Sequence, residues 1–327
     1  MTPAPRGSRT TMAAVRPDPK AIRKSLRTNF APGPRDRLNR ALLRARQGLH
    51  LPGLLLDGEV REPIFIVGAP RSGTSILYSV LRAHRALAHW PGEAHEVWEA
   101  EHHPALTGWS SNALGAEDAT PATRRRIRRS FYLVVGNKRL IDKTPRNALR
   151  VPFVEAVFPD ARYVFLTRDG RENVNSLINA WRTPRYRTYR LPEPHSIPGA
   201  DPAWWKFVLY PGWRDDTAGP LEVVCARQWD ACNRSALAAF EAVGPRMVRV
   251  RYEDLVADPV GEVSRVLEAL RLDYDHAVKA RAEESRTKPV NVVTAPEPGK
   301  WRRENPEEIE RIVPLIESTM KELAYEI

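Results

Sequence analysis

The sequence predicts an α/β fold: a parallel sheet flanked by helices on both faces, in a single domain with a long irregular insertion. Three stretches predict it. Ile64, Phe65, Ile66 and Val67 form a short continuous apolar run that stops at Gly68, and Ile76, Leu77, Val80 and Leu81 then recur at helical spacing over 75–83. That is a buried strand, a tight loop and a helix. The arrangement returns at 161–167, where Tyr163, Val164, Phe165 and Leu166 make the strand and a helix over about 171–181 follows. It returns again at 247–252, ahead of a turn and a helix containing Val263, Val266, Leu267 and Leu270. Strands that alternate with helices pair in parallel, because each helix is the crossover that a parallel neighbour requires.

The 327 residues, 42% of them apolar, suit one large domain with a buried core. The division expected is a basic Pro/Arg-rich leader over 1–59 and the domain over 60–327. The formal charge of +11 is concentrated in the leader: residues 1–50 hold twelve Lys/Arg against two Asp, an excess of +10 that leaves only +1 for the rest. A nucleic-acid-binding fold would carry its basic groups on the folded surface, so the charge argues against that class. Leu38, Leu42, Leu43 and Leu49, with Arg37, Arg40, Arg44 and Arg46, give the leader an amphipathic helix. The primary reading packs it on the domain, and the secondary one lays it on a membrane surface as a peripheral contact. Cys225 and Cys232 fall on one predicted helix, roughly 10 Å apart along its axis, too far to bridge, and are expected reduced. No run of eighteen apolar residues and no signal-peptide core is present, so a soluble cytoplasmic protein is expected.

Residues 182–221 break the strand-helix rhythm. They hold seven prolines and the aromatics Tyr186, Tyr189, Trp204, Trp205, Phe207, Tyr210 and Trp213. A long irregular segment in a compact domain is usually functional. Two roles stand open for it: packing against an acceptor substrate, or covering a sheet edge.

Residues 68–75 read Gly-Ala-Pro-Arg-Ser-Gly-Thr-Ser between the first strand and its helix. Glycines there let backbone N–H groups turn inward, and the helix start adds a favourable dipole, so the loop is an anion cradle of P-loop type. The Gly-x-x-x-x-Gly spacing matches nucleotide triphosphatases, but Thr74 stands where their lysine belongs. A triphosphate with Mg²⁺ needs that lysine; a phosphate bearing a sulfuryl group carries less charge and needs no metal. Arg71 is placed to supply the cation.

Pro70, Arg71, Ser72, Gly73, Thr74 and Ser75 resemble the 5′-phosphosulfate loop of the sulfotransferase superfamily that uses 3′-phosphoadenosine 5′-phosphosulfate (PAPS). In that family an Arg ending a second strand, and a Ser eight residues on, bind the 3′-phosphate; Arg168 and Ser176 stand at that spacing here. A dianionic phosphate suits a fixed guanidinium with a hydroxyl in a helix's first turns. Tyr252, in Tyr-Glu-Asp-Leu after the third strand, resembles the segment that carries a nucleotide-contacting Tyr, although a buried strand-end Tyr has the same appearance. Lys288-Pro289-Val290-Asn291 and Gly299-Lys300-Trp301 resemble a loop of the tyrosylprotein sulfotransferase branch that folds over the cofactor, and Ser285 matches a branch serine that contacts the transferred group. The resemblance spans about residues 60–320 and concerns the cofactor half of the site. It implies PAPS as co-substrate with no metal.

In-line sulfuryl transfer needs a base for the acceptor hydroxyl, cations on the leaving phosphate and exclusion of water. Arg71 and Lys143, in Asp-Lys-Thr-Pro, are the candidate cations. Cytosolic members carry a catalytic His just after the corresponding segment; Pro145 occupies that place here. Tyrosylprotein and carbohydrate branches instead use a Glu downstream of the loop helix, and Glu93 falls at nearly that separation from Arg71. It would act as base if desolvation raised its pKa, with His95 and Glu96 as substitutes. The acceptor is a hydroxyl on a small molecule such as a phenol, on a glycan or lipid-linked glycan, or on a peptide tyrosine, with its determinants in 84–130 and 182–221. The competing readings are a P-loop kinase or NTPase with Mg²⁺ held by Glu253 and Asp254, an inactive binding module acting through the leader, and a metal hydrolase built on His89, His95, His102 and His103. Those histidines lack a recognisable ligand spacing.

Overall fold

In the computed structural model of the protein, which describes residues 34–56, 58–285 and 297–327, the carboxyl ends of parallel strands carry the site. In chain order the elements are α1 (Pro34–His50), β1 (Ile64–Val67), α2 (Thr74–Leu81), β2 (Leu87–Ala88), α3 (His95–Trp98), α4 (Pro121–Val135), β3 (Arg139–Asp142), α5 (Val151–Val157), β4 (Arg162–Thr167) and α6 (Gly170–Arg182). They continue as β5 (Arg187–Arg190), β6 (Trp204–Lys206), α7 (Leu221–Val243), β7 (Met247–Arg251), α8 (Tyr252–Ala257), α9 (Pro259–Ala269), α10 (His276–Ser285), α11 (Trp301–Glu304) and α12 (Pro306–Glu322), with short 3₁₀ turns between.

The main sheet has the order β2-β3-β1-β4-β7 and every pairing in it is parallel. Its central strand, β1, pairs Ile64 with Ile141 on one side and Val67 with Phe165 on the other. Side chains alternate across a strand, so the four apolar residues of β1 divide between two cores. Phe65 and Val67 join Tyr163, Phe165, Phe131, Phe153 and Trp229 on one face; Ile64 and Ile66 join Val164, Leu166, Leu77, Leu81 and Val266 on the other. Both faces being covered is why these strands read as unbroken apolar runs. Three strands stand where the sequence predicts them. The other two were not visible: β2 is two residues long, and β3 begins and ends on charge.

Helix α1 lies against α4, and Arg46 donates to the His89 carbonyl at 3.2 Å. Both cysteines are buried and reduced on α7. Among the described residues no helix is long and apolar enough to cross a membrane.

Residues 182–221 are more ordered than expected. They contain an antiparallel hairpin, β5 with β6, pairing Arg187 with Lys206 and Arg190 with Trp204. Its inner face is aromatic: Trp205 is fully buried, with ring centroids 5.2 Å from Trp181 of α6 and 4.8 Å from Trp213. Gln228 of α7 fixes the hairpin by donating to the carbonyls of Lys206 (2.8 Å) and Val208 (2.9 Å). The insertion is therefore docked on α6 and α7, and α6 also borders the phosphate loop.

Candidate active site

The loop after β1 is shaped by close approach. A Cβ at Gly68 would lie 2.4 Å from the Leu166 carbonyl oxygen, and one at Gly73 would lie 2.4 Å from the Tyr252 ring. Gly73 also has φ +107°, a conformation that glycine adopts without strain, and it opens α2. Arg71 between them has φ +71°, which a residue with a Cβ adopts only at a cost. Asn173 of α6 supports the strained loop: oriented to do both, its amide donates to the Pro70 carbonyl at 3.0 Å and accepts from the Ser72 N–H at 3.1 Å. Thr74 and Ser75 supply N–H groups of the first turn of α2, which have no partner within the helix.

Two guanidiniums meet over this loop. Arg168, directly after β4, donates to the Arg71 carbonyl at 3.1 Å, stacks 4.4 Å over the Tyr252 ring and lies 3.8 Å from Glu172. Arg71 donates from Nε to Ser176 Oγ at 3.4 Å and from its terminal nitrogen to the Tyr186 hydroxyl at 3.3 Å. Burial, and further the like charge of Arg168, push the Arg71 guanidinium down from its ordinary value. Two buried polar atoms at this point, Arg168 Nε and Ser72 Oγ, have no partner among the described residues. Crowded cations and orphaned donors around a helix start fit a bound anion that accepts from them.

The C-terminal segment closes on the same place. Glu172 accepts from the backbone N–H groups of Gly299 and Lys300, while Lys300 Nζ lies 3.3 Å from Glu304. Glu304 accepts from Asn175 (2.9 Å) and Asn179 (2.7 Å) of α6, and Trp301 lies 5.9 Å from the Arg171 guanidinium. Lys300 and Trp301 are thereby brought to the helix that carries Ser176. Ser285 is not tied into this network: it closes α10, and its hydroxyl donates to the Ala282 carbonyl at 2.7 Å. Lys288, Pro289, Val290 and Asn291 lie outside the described residues.

Glu93 and Lys143 meet beside Ser75. Lys143, almost fully buried, donates from Nζ to Ser75 Oγ at 3.2 Å and to a Glu93 oxygen. The other Glu93 oxygen lies 2.8 Å from His95 Nε2. Burial would raise the Glu93 pKa, but Lys143 and His95 outweigh it and hold the carboxyl well below the usual carboxylate range. The condition set from the sequence, a pKa raised by desolvation, is therefore not met in this state: the cation that desolvation calls for is already in place. Burial pushes His95 down, while Glu93 beside its Nε2 pulls it back up. Of the substitute bases, Glu96 is occupied by the Trp90 indole N–H at 2.9 Å.

Several residues of the site carried no sequence signal. Asp142, before Lys143, is buried and pushed up to about 6 by burial, although Trp98, Thr144 and Asn147 donate to it. Beneath it Glu99 accepts from Arg146 (2.6 Å) and Tyr189 (2.8 Å), with Arg150 at 3.8 Å. Burial would raise Glu99, and the two arginines bring it down to about 2. These partners come from distant parts of the chain, so no local spacing announces them. Asn173 and Tyr186 stay equally silent until the loop is folded. Glu253, a proposed Mg²⁺ ligand, instead accepts from the Asp169 N–H (3.1 Å) and the Tyr325 hydroxyl (2.9 Å). Among the described residues no group of three His, Cys, Asp or Glu side chains is arranged to hold a metal.

Comparison with known proteins gives the same direction. Protein-tyrosine sulfotransferase A of Caenorhabditis elegans is 26% identical over 228 residues, 66% of this chain and 51% of that protein. Nodulation protein NoeE of Sinorhizobium fredii is 27% identical over 238 residues, 68% of this chain and 52% of that protein. The chain thus spans about half the length of these curated relatives. Among solved structures, sulfotransferase STF9 from Mycobacterium avium superimposes with a TM-score of 0.56 at 16% identity, covering 90% of this chain and 83% of that one, a likeness of fold. The model of the Sulfotransferase family matches residues 63–196 and 203–276, more than half of the sequence, and the chain belongs to that family.

Proposed function

We propose that the protein transfers a sulfuryl group from PAPS to an acceptor hydroxyl by in-line displacement, with Glu93 as the base and no metal. The observation that carries this reading is the position of Lys143: one ammonium touches both Ser75, in the first turn of the phosphate-loop helix, and Glu93. Base and phosphate cradle are therefore one ammonium apart, the separation that a small transferred group must bridge.

PAPS supplies the activated sulfuryl group. The loop amides of 72–75, with Arg71, would hold its 5′-phosphosulfate, and Arg168 with Ser176 its 3′-phosphate; the contacts of Arg71 with Ser176 and of Arg168 with the loop support this. Tyr252 under Arg168, and Lys300 and Trp301 drawn to α6 through Glu172 and Arg171, would flank the nucleotide. When an anion enters, Lys143 turns from Glu93 toward the leaving phosphate oxygen, where its charge is needed as the bond to sulfur breaks. Glu93, still held by His95, then loses the neighbour that depressed its pKa. It takes the proton of the acceptor hydroxyl while the acceptor oxygen bonds to sulfur. The resting Lys143–Glu93 pair thus keeps the base ionised until cofactor arrives.

The acceptor approaches from the side of Glu93 and the insertion. The name of the Caenorhabditis elegans relative favours a tyrosine phenol, and small phenols and glycans remain within the same chemistry. The kinase alternative is disfavoured because Glu253 is engaged in structure and Thr74 stands at the lysine position. The test is incubation with sulfur-labelled PAPS and a panel of tyrosine peptides, phenols and glycans, using wild type and Glu93→Gln. Labelled product from wild type, reduced at least about a hundredfold in the variant, is expected for loss of a general base; no label transfer to any class would overturn the reading.

A further inference from the structure

We propose that Tyr186 is a nucleotide-binding residue: its hydroxyl, carried by the insertion and linked to Ser176 through Arg71, donates to the 3′-phosphate assigned to Arg168 and Ser176. This rests on the PAPS reading above and extends it to a residue outside the phosphate motifs, making the insertion part of the cofactor site.

Three observations carry it. First, Arg71 gathers two hydroxyls on one guanidinium, Ser176 Oγ at 3.4 Å and Tyr186 at 3.3 Å, both long contacts that an anion would replace with shorter, charge-assisted ones. A phenol hydroxyl both accepts and donates, so it can keep the Arg71 N–H while giving its proton to a phosphate oxygen. Second, the ring is fixed where it stands. Tyr186 and Phe207 both have φ +62°, a left-handed conformation unusual for side chains of this size, and their rings pack 5.4 Å apart at 30°. Thr188 Oγ1 joins the two segments, donating to the Tyr186 carbonyl at 3.3 Å and accepting from the Phe207 N–H at 2.8 Å. Strained residues held in place by their surroundings concentrate where geometry serves a ligand. Third, the hairpin is bolted to the helix that presents Ser176. Buried Lys206 donates to the carbonyls of Ala180 (3.2 Å) and Trp181 (2.7 Å) and to that of Thr183, at the end of α6. The distance between the two hydroxyls is therefore set by a rigid unit.

Arg71 joins the Tyr186 hydroxyl to Ser176 Oγ on one guanidinium, and its carbonyl accepts from Arg168, which favours the 3′-phosphate that Ser176 and Arg168 would hold over the 5′-phosphate at the loop amides. Calorimetric titration without metal, using adenosine 3′,5′-bisphosphate and adenosine 5′-monophosphate on wild type and Tyr186→Phe, separates the two. The Phe variant keeps the ring on Phe207 and Arg71, and an unchanged melting temperature will show that it folds. It is expected to bind the bisphosphate about tenfold more weakly, the value of one hydrogen bond to a charged group, and the monophosphate equally well. The bisphosphate should also slow proteolysis within 182–221 in wild type more than in the variant. Equal bisphosphate affinity in both proteins, or the same loss for both nucleotides, overturns the assignment of Tyr186 while leaving the PAPS reading intact; wild type that binds neither nucleotide overturns both.

Discussion

The cradle at 68–75 is set by its own glycines, one helix start and support from the neighbouring helix α6, whereas the insertion at 182–221 holds its place through partners scattered along the chain. Gly73 and Arg71 turn the loop, and Asn173 fixes it. In the insertion Tyr189 reaches Glu99, Trp205 packs on Trp181, and Lys206 caps α6. The difference separates two consequences of mutation. Changes on the cofactor side should alter binding and turnover in a protein that still folds, while changes beneath the insertion should cost stability first.

The largest effect expected is on the insertion side. Glu99→Gln leaves Arg146 and Arg150 buried beside an uncharged amide, and breaking a buried ion pair costs about 3–5 kcal/mol. Denaturant unfolding will show it, and a variant as stable as wild type would break the contrast. The same group gives a pH signature. The folded pKa of Glu99 is depressed to about 2, so its contribution is fully present above the ordinary carboxylate pKa and is lost as pH falls toward about 2.

On the cofactor side, Lys143→Met should lower kcat by roughly 10²–10³ by removing the cation from the leaving oxygen, with a loss of stability smaller than that of Glu99→Gln because Glu93 is partly exposed and keeps His95. A coincident collapse in stability would erase the distinction between the two regions. Arg168→Ala removes a guanidinium from the 3′-phosphate and should weaken adenosine 3′,5′-bisphosphate by roughly ten- to a hundredfold, read by calorimetry.

The smallest effect is the most diagnostic of the base. In the free wild-type enzyme Lys143 keeps Glu93 ionised, so the acid limb of kcat/KM attributable to Glu93 lies below the ordinary carboxylate range. In Lys143→Met that limb should move upward, because burial then acts without its counterion. A limb that stays put would remove Glu93 from the role of base.

The sequence displays the cofactor side because short-range chemistry has short-range spacing. An apolar strand, Gly68, Arg71 and Gly73, followed by a second strand and then Arg168 with Ser176, specify the fold, and the structure brings those residues together. The parallel sheet follows from the same runs, apart from β3, which pairs on β1, and β2, which pairs on β3, neither of them marked by its own composition. The insertion is harder to read: the hairpin inside it has one bulged register and charged outward residues, so no clean alternation marks it. The separation from Arg71 singles out Glu93, but its charge state depends on Lys143, fifty residues away, and is a property of the folded site alone.

The central claim, that the loop receives an adenosine phosphosulfate and not a metal-bound triphosphate, is tested most directly by calorimetric titration of the wild-type protein with adenosine 3′,5′-bisphosphate in the presence of a chelator, beside ATP with Mg²⁺. Binding of the bisphosphate is expected to be on the order of micromolar, unaffected by removing metal and stronger than that of ATP. Binding of ATP only, and only with Mg²⁺, would contradict it.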